Sequence, residues 1–496
     1  MTDNAASPRT DNNPSLADAL FLLPILAVAA ALRVYMVGAR SLWIDEGVSA
    51  GIARLPWNAM QSVIWRHEAN MALYYILLHE WTRLGDSEAW LRGMSMLAAV
   101  AAIVVVFILA RRMFGRNVAF IAAGLIAFNA YHIQYSQEAR SYALLSLAVT
   151  ITTFLLLRAV ESPSSGNWTL FALASALAVY LQFFVVFVTA AQGIGVLLWR
   201  RRALKVRPLT LAGVVFAITL IPIIEFIRDN IGQRQLNWVP PVTASGLYAA
   251  ALSLAGWGGP TLLALTLGFV VWCMAAGGRG WLRGEPDDET FNLGVVTLWL
   301  VFPFAITIAV SPWRHLFVPR YMVMTLPALA ILVARGVARL RLQWQVPVLV
   351  VFAVLLVRGD RAYYAGMSGI GEDWRSATQF ILRNAQPGDA VIFNNGIGHP
   401  AYAYYAERTE GAVKPRVIYP VHSDDLPELD FAGVPRPKMF PHIIQGVGRL
   451  WAVDWMPGAS VAPLLNQYFL PVQTTEYLGV RVTLYVACSP ACNSRL

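Results

Sequence analysis

Charge is what this sequence has least of. Asp, Glu, Lys and Arg make up 14% of its 496 residues, against roughly 25% in soluble domains. With 57% of residues hydrophobic, a wholly water-soluble protein is excluded, and most of the chain belongs in a bilayer. Cysteine is scarce as well, at three residues. Cys273 sits in an apolar run and reads as packing. Cys488 and Cys492 are spaced C-x3-C with no histidine close by, which does not define a zinc site. A disulfide and two separate thiols both stay open, according to compartment. There is no low-complexity tract and no repeat of fixed period, which removes solenoids and arrays. The small-residue cleavage pattern of a secretory leader does not follow the first apolar run, so that run reads as an uncleaved anchor.

What is present is a series of long apolar runs separated by basic loops. The net charge of +9 collects in "RRMFGR" (111–116), "WRRRALKVR" (199–207), "GGRGWLRGEPDDE" (277–289) and "RGVARLRLQ" (335–343). Loops of this kind stay cytoplasmic, and charge used to set orientation implies no nucleic-acid partner. Spans are then expected at 18–37, 88–110, 117–132, 139–159, 168–182, 183–199, 208–226, 259–277, 290–310, 318–338 and 344–358. The run 167–199 lies between two cytoplasmic loops and must cross twice. The expectation is an α-helical polytopic membrane protein with about 11 transmembrane helices, multi-pass in the inner (plasma) membrane. A disordered cytoplasmic tail, 1–17, precedes the transmembrane domain, 18–358.

Residues 38–87 then face outside. "LPWNAMQSVIWRHEAN" is amphipathic at helical spacing, and "NMALYYILLHEWTRL" is aromatic and short. Both read as interfacial helices in the first outer loop. Residues 359–496 are more polar. "EDWRSATQFILRNA" reads as a helix, and "DAVIFN", "RVIYP", "RLWAVDW" and "GVRVTLYVA" read as strands, giving a small C-terminal α/β extracytoplasmic domain.

The informative polar groups fall on that outer side: "WIDEG" (43–47), "RHEAN" (66–70), "YHIQYSQEARSY" (131–142), "EFIRDNIGQRQLNWVPP" (225–241) and "SPWRHLFVPRYMV" (311–323). These loops carry Asp45, Glu46, His67, Glu138, Arg140, Arg234, Arg314, His315 and Arg320. Each has a bland reading. An arginine at a span end snorkels to headgroups, a single histidine is an ordinary loop residue, and the acidic pair is a polar cap. Taken together they suit one task. Arginines can hold a phosphate or pyrophosphate leaving group in two-pronged fashion, while a carboxylate takes the proton of an attacking hydroxyl.

The chain resembles the GT-C superfamily of polytopic glycosyltransferases. Within it, the chain is similar to the bacterial branch related to protein O-mannosyltransferases and to the aminoarabinose and lipid A core glycosyltransferases. The resemblance rests on "LWIDEG", "NMALYYILLHEW", "SEAWLRGMSML", "YSQEARSYAL", "NWVPP", "PRYMVMTLPALAIL" and "EDWRSATQFI…PGDAVIF", in that order over most of the chain. It implies that Asp45 is the general base, with Glu46 a supporting carboxylate or, together with Asp45, a contact for a divalent metal. It implies Arg140, Arg234 and Arg320 as binders of the donor phosphate. His67, Glu68, Tyr74, Glu138, Gln182, Trp238, Arg314 and His315 are further substrate-binding candidates.

The implied donor is a polyprenyl-phosphate sugar, transferred with inversion to an acceptor lipid, glycan or protein, among membrane lipids as partners. Two departures stand out. "NMALYY" lacks the two prolines of the family segment, and Gln182 stands where many members have histidine. A transporter or flippase of a lipid-linked sugar is the alternative, but it calls for mid-span ionisable groups and internal repeats. A membrane-anchored binding module centred on 359–496 would leave the loop charges without a role.

Overall fold

The computed structural model describes residues 15–201, 204–230, 239–283, 287–366, 371–420, 440–456 and 458–488. Its helices run α1 Leu16–Val34, α2 Ile44–Arg54, α3 Trp57–Val63, α4 Ala72–Thr82, α5 Glu88–Phe114, α6 Arg116–Ala127, α7 Ala130–Ser136 and α8 Tyr142–Glu161. They continue with α9 Ser165–Val179, α10 Val185–Trp199, α11 Val206–Thr219, α12 Ile221–Asn230, α13 Ala244–Ala255, α14 Pro260–Arg283, α15 Asp288–Val310, α16 Leu326–Ala338, α17 Leu342–Gly366, α18 Trp374–Asn384 and α19 His399–Glu407. The chain divides into two compact units. The first holds residues 1–35, 69–74 and 92–365, and the second 36–68, 75–91 and 366–496.

The first unit is helical, and each of the eleven expected spans falls on one of its helices or bent helix pairs. Among the described residues seven segments are long and apolar enough to cross a bilayer, or up to nine if each bent pair counts as one span. α9 and α10 have 15 residues each, about 22 Å at 1.5 Å per residue, which is short of a ~30 Å hydrocarbon core. The segment ending in α16 is central, with 89% of its apolar window buried, whereas α1 and α17 show 22%. Leu20, Phe21 and Leu23 on α1, and Val350 and Val354 on α17, are exposed. Apolar side chains turned outward on membrane-length helices are what hydrocarbon, not water, accommodates. α16 packs against α6, α14 and α15. A Cβ on Gly336 would lie 2.5 Å from the Phe269 carbonyl oxygen, so only glycine lets α16 approach α14 this closely.

α6 and α7 meet at a 62° bend. A break of this kind frees carbonyls at one helix end and N–H groups at the next. Both are answered. The Arg33 guanidinium donates to the carbonyls of Ile126 and Ala127 at 3.4 and 3.2 Å, and the Asn129 side chain accepts from His132 N–H at 3.0 Å. The bend aims α7, and the turn after it, away from the α6 axis.

The second unit is α/β. Its five-stranded sheet has the order β2-β1-β3-β5-β4, with β1 Ala390–Phe393, β2 Arg416–Tyr419, β3 Arg449–Trp455, β4 Phe469–Tyr477 and β5 Val480–Ala487. β1 runs parallel to β2 and β3, and β5 antiparallel to β3 and β4. All four expected strands are present, and β4 adds an edge. The expected helix at 374 is α18, and residues 38–87 contain α3, α4 and, unexpectedly, α2. Cys492 lies outside the described residues.

α2 packs on α19 within this unit. A Cβ on Gly47 would lie 2.7 Å from both Cα and Cβ of Ala401. Gly47→Ala is therefore expected to destabilise by about 1–3 kcal/mol through overpacking, read as a lowered melting temperature in detergent. An unchanged melting temperature would show that α2 is not seated this closely on α19.

Candidate active site

The acidic pair opens α2. Asp45 and Glu46 are the second and third residues of the helix, where the unpaired N–H groups and the helix dipole favour negative charge. The helix separates their roles. Successive residues point about 100° apart around a helix of 3.6 residues per turn. Glu46 turns inward, is 1% exposed, and accepts from Trp43 N–H at 3.4 Å. Asp45 stays half-buried. Glu46 thus fits the cap reading, and Asp45 is the less buried of the two carboxylates.

A third carboxylate, absent from the sequence reading, completes this turn. Glu372 accepts from Ile44 N–H at 2.7 Å and from the Trp374 indole at 3.2 Å through one oxygen. Its other oxygen accepts from the Trp455 indole at 3.0 Å. Burial raises the Glu372 carboxyl above the ordinary carboxylate range, and the nearby Asp45 charge raises it too, while the three N–H donors pull it down. Its only signal in the sequence was its place at the head of the "EDWRSATQFI" segment.

The chain just before α2 is also held. Tyr405 Oη accepts from Leu42 N–H at 2.8 Å and donates to Glu88. Arg375 pairs with Glu88 and donates to the carbonyls of Gly38 and Arg40 at 3.0 and 3.1 Å. Residues far apart in sequence thus fix the approach to "WIDEG" from both sides. Glu68 accepts from Tyr75 Oη at 3.0 Å, and His67 is exposed.

The arginine candidates belong to the first unit. Arg140 is buried in the turn between α7 and α8, which is tied by Arg140 N–H to the Glu138 carbonyl at 2.8 Å and by Ser95 Oγ to the Arg140 carbonyl at 3.1 Å. Its guanidinium carbon lies 6.0 Å from the Tyr142 ring centroid, and that of Arg320 lies 5.9 Å from the Tyr321 centroid. The rings of Tyr142 and Tyr321 are 6.4 Å apart and continue a ladder through Tyr135 and Tyr131. Tyr131 Oη donates to the Pro319 carbonyl at 2.9 Å, which locks the ladder to the segment bearing Arg320. One tyrosine ladder therefore carries both arginines, with the Glu138 carboxylate accepting from Gln134 at 3.3 Å in the same turn.

Other candidates scatter. Tyr74 and Gln182 are buried, in strands of chain joined by Leu73 N–H to the Tyr180 carbonyl at 3.1 Å. Arg314 and His315 are exposed. Arg234 and Trp238 lie outside the described residues. Among the described residues no group of three or more His, Cys, Asp or Glu is placed to hold a metal ion.

A sequence profile of the dolichyl-phosphate-mannose-protein mannosyltransferase family matches residues 71–226. Among curated proteins none matches the chain significantly in sequence. Solved structures match over nearly its whole length. ArnT from Cupriavidus metallidurans in the apo state is 14% identical with a TM-score of 0.66, and 94% of this chain covers 98% of that one. The same protein bound to undecaprenyl phosphate gives 15% identity, a TM-score of 0.63 and the same coverage. The archaeal oligosaccharyltransferase AglB from Archaeoglobus fulgidus, in complex with an inhibitory peptide and a dolichol-phosphate, is 11% identical with a TM-score of 0.52, over 96% of this chain and 75% of that one. The resemblance drawn from the sequence motifs holds in three dimensions: the chain has the GT-C fold of membrane glycosyltransferases.

Proposed function

We propose that this protein moves a sugar from a polyprenyl-phosphate donor to an extracytoplasmic acceptor, a lipid, glycan or protein, with inversion at the anomeric carbon. The observation that carries the reading is the whole-length match to a structure that holds undecaprenyl phosphate, joined to a chain that offers an acidic helix start and an arginine-bearing tyrosine ladder. Asp45 takes the proton of the acceptor hydroxyl as its oxygen attacks the anomeric carbon. The bond from that carbon to the phosphate oxygen breaks, and the polyprenyl phosphate leaves with both bonding electrons. Arg140, Arg234 and Arg320 hold the phosphate and its developing charge. One displacement from the face opposite the leaving group gives the inversion. Labelled sugar supplied on polyprenyl phosphate to the purified protein tests this directly. Transfer to an envelope acceptor supports it, and movement of the intact lipid-linked sugar across liposomes without transfer would support the flippase instead. Arg33 and Asp360 are buried ionisable groups in candidate spans, but they lie near the ends of α1 and α17, not at mid-span where a transport path would need them.

The orientation belongs to the same proposal: N-terminus cytoplasmic, and residues 38–87 and 359–496 outside, at the inner membrane. Most residues of both stretches belong to one compact unit, and a compact unit that holds no complete candidate span lies on one side of a bilayer. Single cysteines at Gln61 and Glu410, both exposed, are expected to react with an impermeant maleimide in intact spheroplasts. Labelling of both only after lysis would reverse the topology.

A further inference from the structure

We infer that Glu372 is a positioning residue for Asp45, fixing the first turn of α2 through the Ile44 amide; this rests on the proposal that Asp45 is the base. Glu372 and Ile44 are 328 residues apart in sequence, yet their 2.7 Å hydrogen bond is shorter than either indole contact to the same carboxylate. A helix start has N–H groups with no partner of their own. Here Trp43, the residue before α2, has no side-chain oxygen to offer. Glu46 reaches back to Trp43 N–H, and Glu372 takes the next amide, that of Ile44. Asp45 is the residue immediately after, so the rotation of its side chain about the helix axis follows from where the Ile44 amide is held.

The carboxylate is itself held. The Trp374 and Trp455 indoles each donate to it, and Asp373 N–H is tied to the Leu478 carbonyl at 2.8 Å. A Cβ on Gly479 would lie 2.6 Å from Glu372 Cγ, so the β4–β5 turn closes on the side chain from behind. The charge that acts on it is that of Asp45 on α2; the next residue, Asp373, caps its own helix at Ser376 N–H, and Arg375 is paired with Glu88. Glu372 is therefore a rigid strut between the sheet and the catalytic turn, contributed by the segment that leads into α18.

Because the role runs through Asp45, its loss depends on Asp45. In the full-length protein, Glu372→Ala is expected to lower kcat roughly tenfold, about the scale of one hydrogen bond to a charged group, with the donor KM little changed and the melting temperature lowered by the loss of its three N–H contacts. Glu372→Gln keeps one acceptor oxygen and is expected to recover part of the rate. In the Asp45→Asn background Glu372→Ala should cost little more, since contacts acting as one unit are not additive. The same fold-loss in both backgrounds, or a loss confined to KM, would overturn the inference. Wild-type turnover in Asp45→Asn alone would instead overturn the base assignment, so the two failures read differently. If residual turnover in Asp45→Asn is too low to measure, the kcat-against-KM split of Glu372→Ala decides.

Discussion

Asp45→Asn leaves a folded, membrane-inserted protein whose turnover is lowered by about 10²–10⁴-fold, the usual worth of a general base. Asparagine keeps the size of the side chain and its ability to accept a hydrogen bond. It loses only the capacity to take up the acceptor's proton. The first turn of α2 retains Glu46 and Glu372 as its backbone acceptors, so the helix start stays intact, and donor binding by the arginines does not involve Asp45. The measurement is steady-state transfer of labelled sugar by purified protein, with donor KM and melting temperature recorded beside it. Wild-type turnover with the natural acceptor would reduce the pair to a helix-end cap. Glu46→Gln lowers the rate less and the melting temperature more, because Glu46 is the inward member of the pair.

Arg140→Lys and Arg320→Lys raise the donor KM about 10- to 100-fold each, while the acceptor KM changes little. A phosphate oxygen held by a guanidinium is worth roughly 1.5–3 kcal/mol as a charge-assisted contact, and the ammonium of lysine cannot reproduce a planar, two-pronged grip. Both arginines rest near tyrosine rings that are themselves in contact. A flat guanidinium stacks against such a ring, whereas lysine makes the weaker cation–π contact of a point charge. A melting temperature measured on each variant separates this from loss of fold, which matters for Arg140 because it is buried. If both variants keep the wild-type donor KM, the phosphate assignment falls.

The membrane-length runs were legible because hydrophobicity is local: each expected span coincides with a helix or a bent pair, down to the long run that splits into α9 and α10. The two bends were not legible as bends. Arg33 settles the α6 end of the break through bonds to carbonyls more than ninety residues further along the chain, while Asn129 caps α7 locally at His132 N–H. β4 was missed because "FLPVQTTEY" is mostly exposed and carries Pro471, which sits at a register irregularity on an edge strand, where proline is tolerated. α2 was missed because its acidic, glycine-bearing start has little helix signal of its own. Motif order in the sequence proposes Asp45, Arg140 and Arg320; the fold places Asp45 at the start of α2 and both arginines beside the tyrosine ladder. Glu372, Arg375 and Tyr405 could not be found that way, because their partners near residue 42 are assigned by the fold and by nothing in the surrounding motif.

The second unit is assembled from chain that is made at two different times. Residues 36–68 and 75–91 emerge early, and the rest of the unit begins at residue 366, about 275 residues later. At synthesis rates of ~5–20 residues per second the early piece waits on the order of 15–60 seconds for its partner. Throughout that interval the acidic turn exists without Glu372, Tyr405, Arg375 or α19 around it. The last stretch of the polypeptide supplies those parts. A chain that stops short of residue 366 therefore has the first turn of α2 without the Glu372 that takes its Ile44 amide.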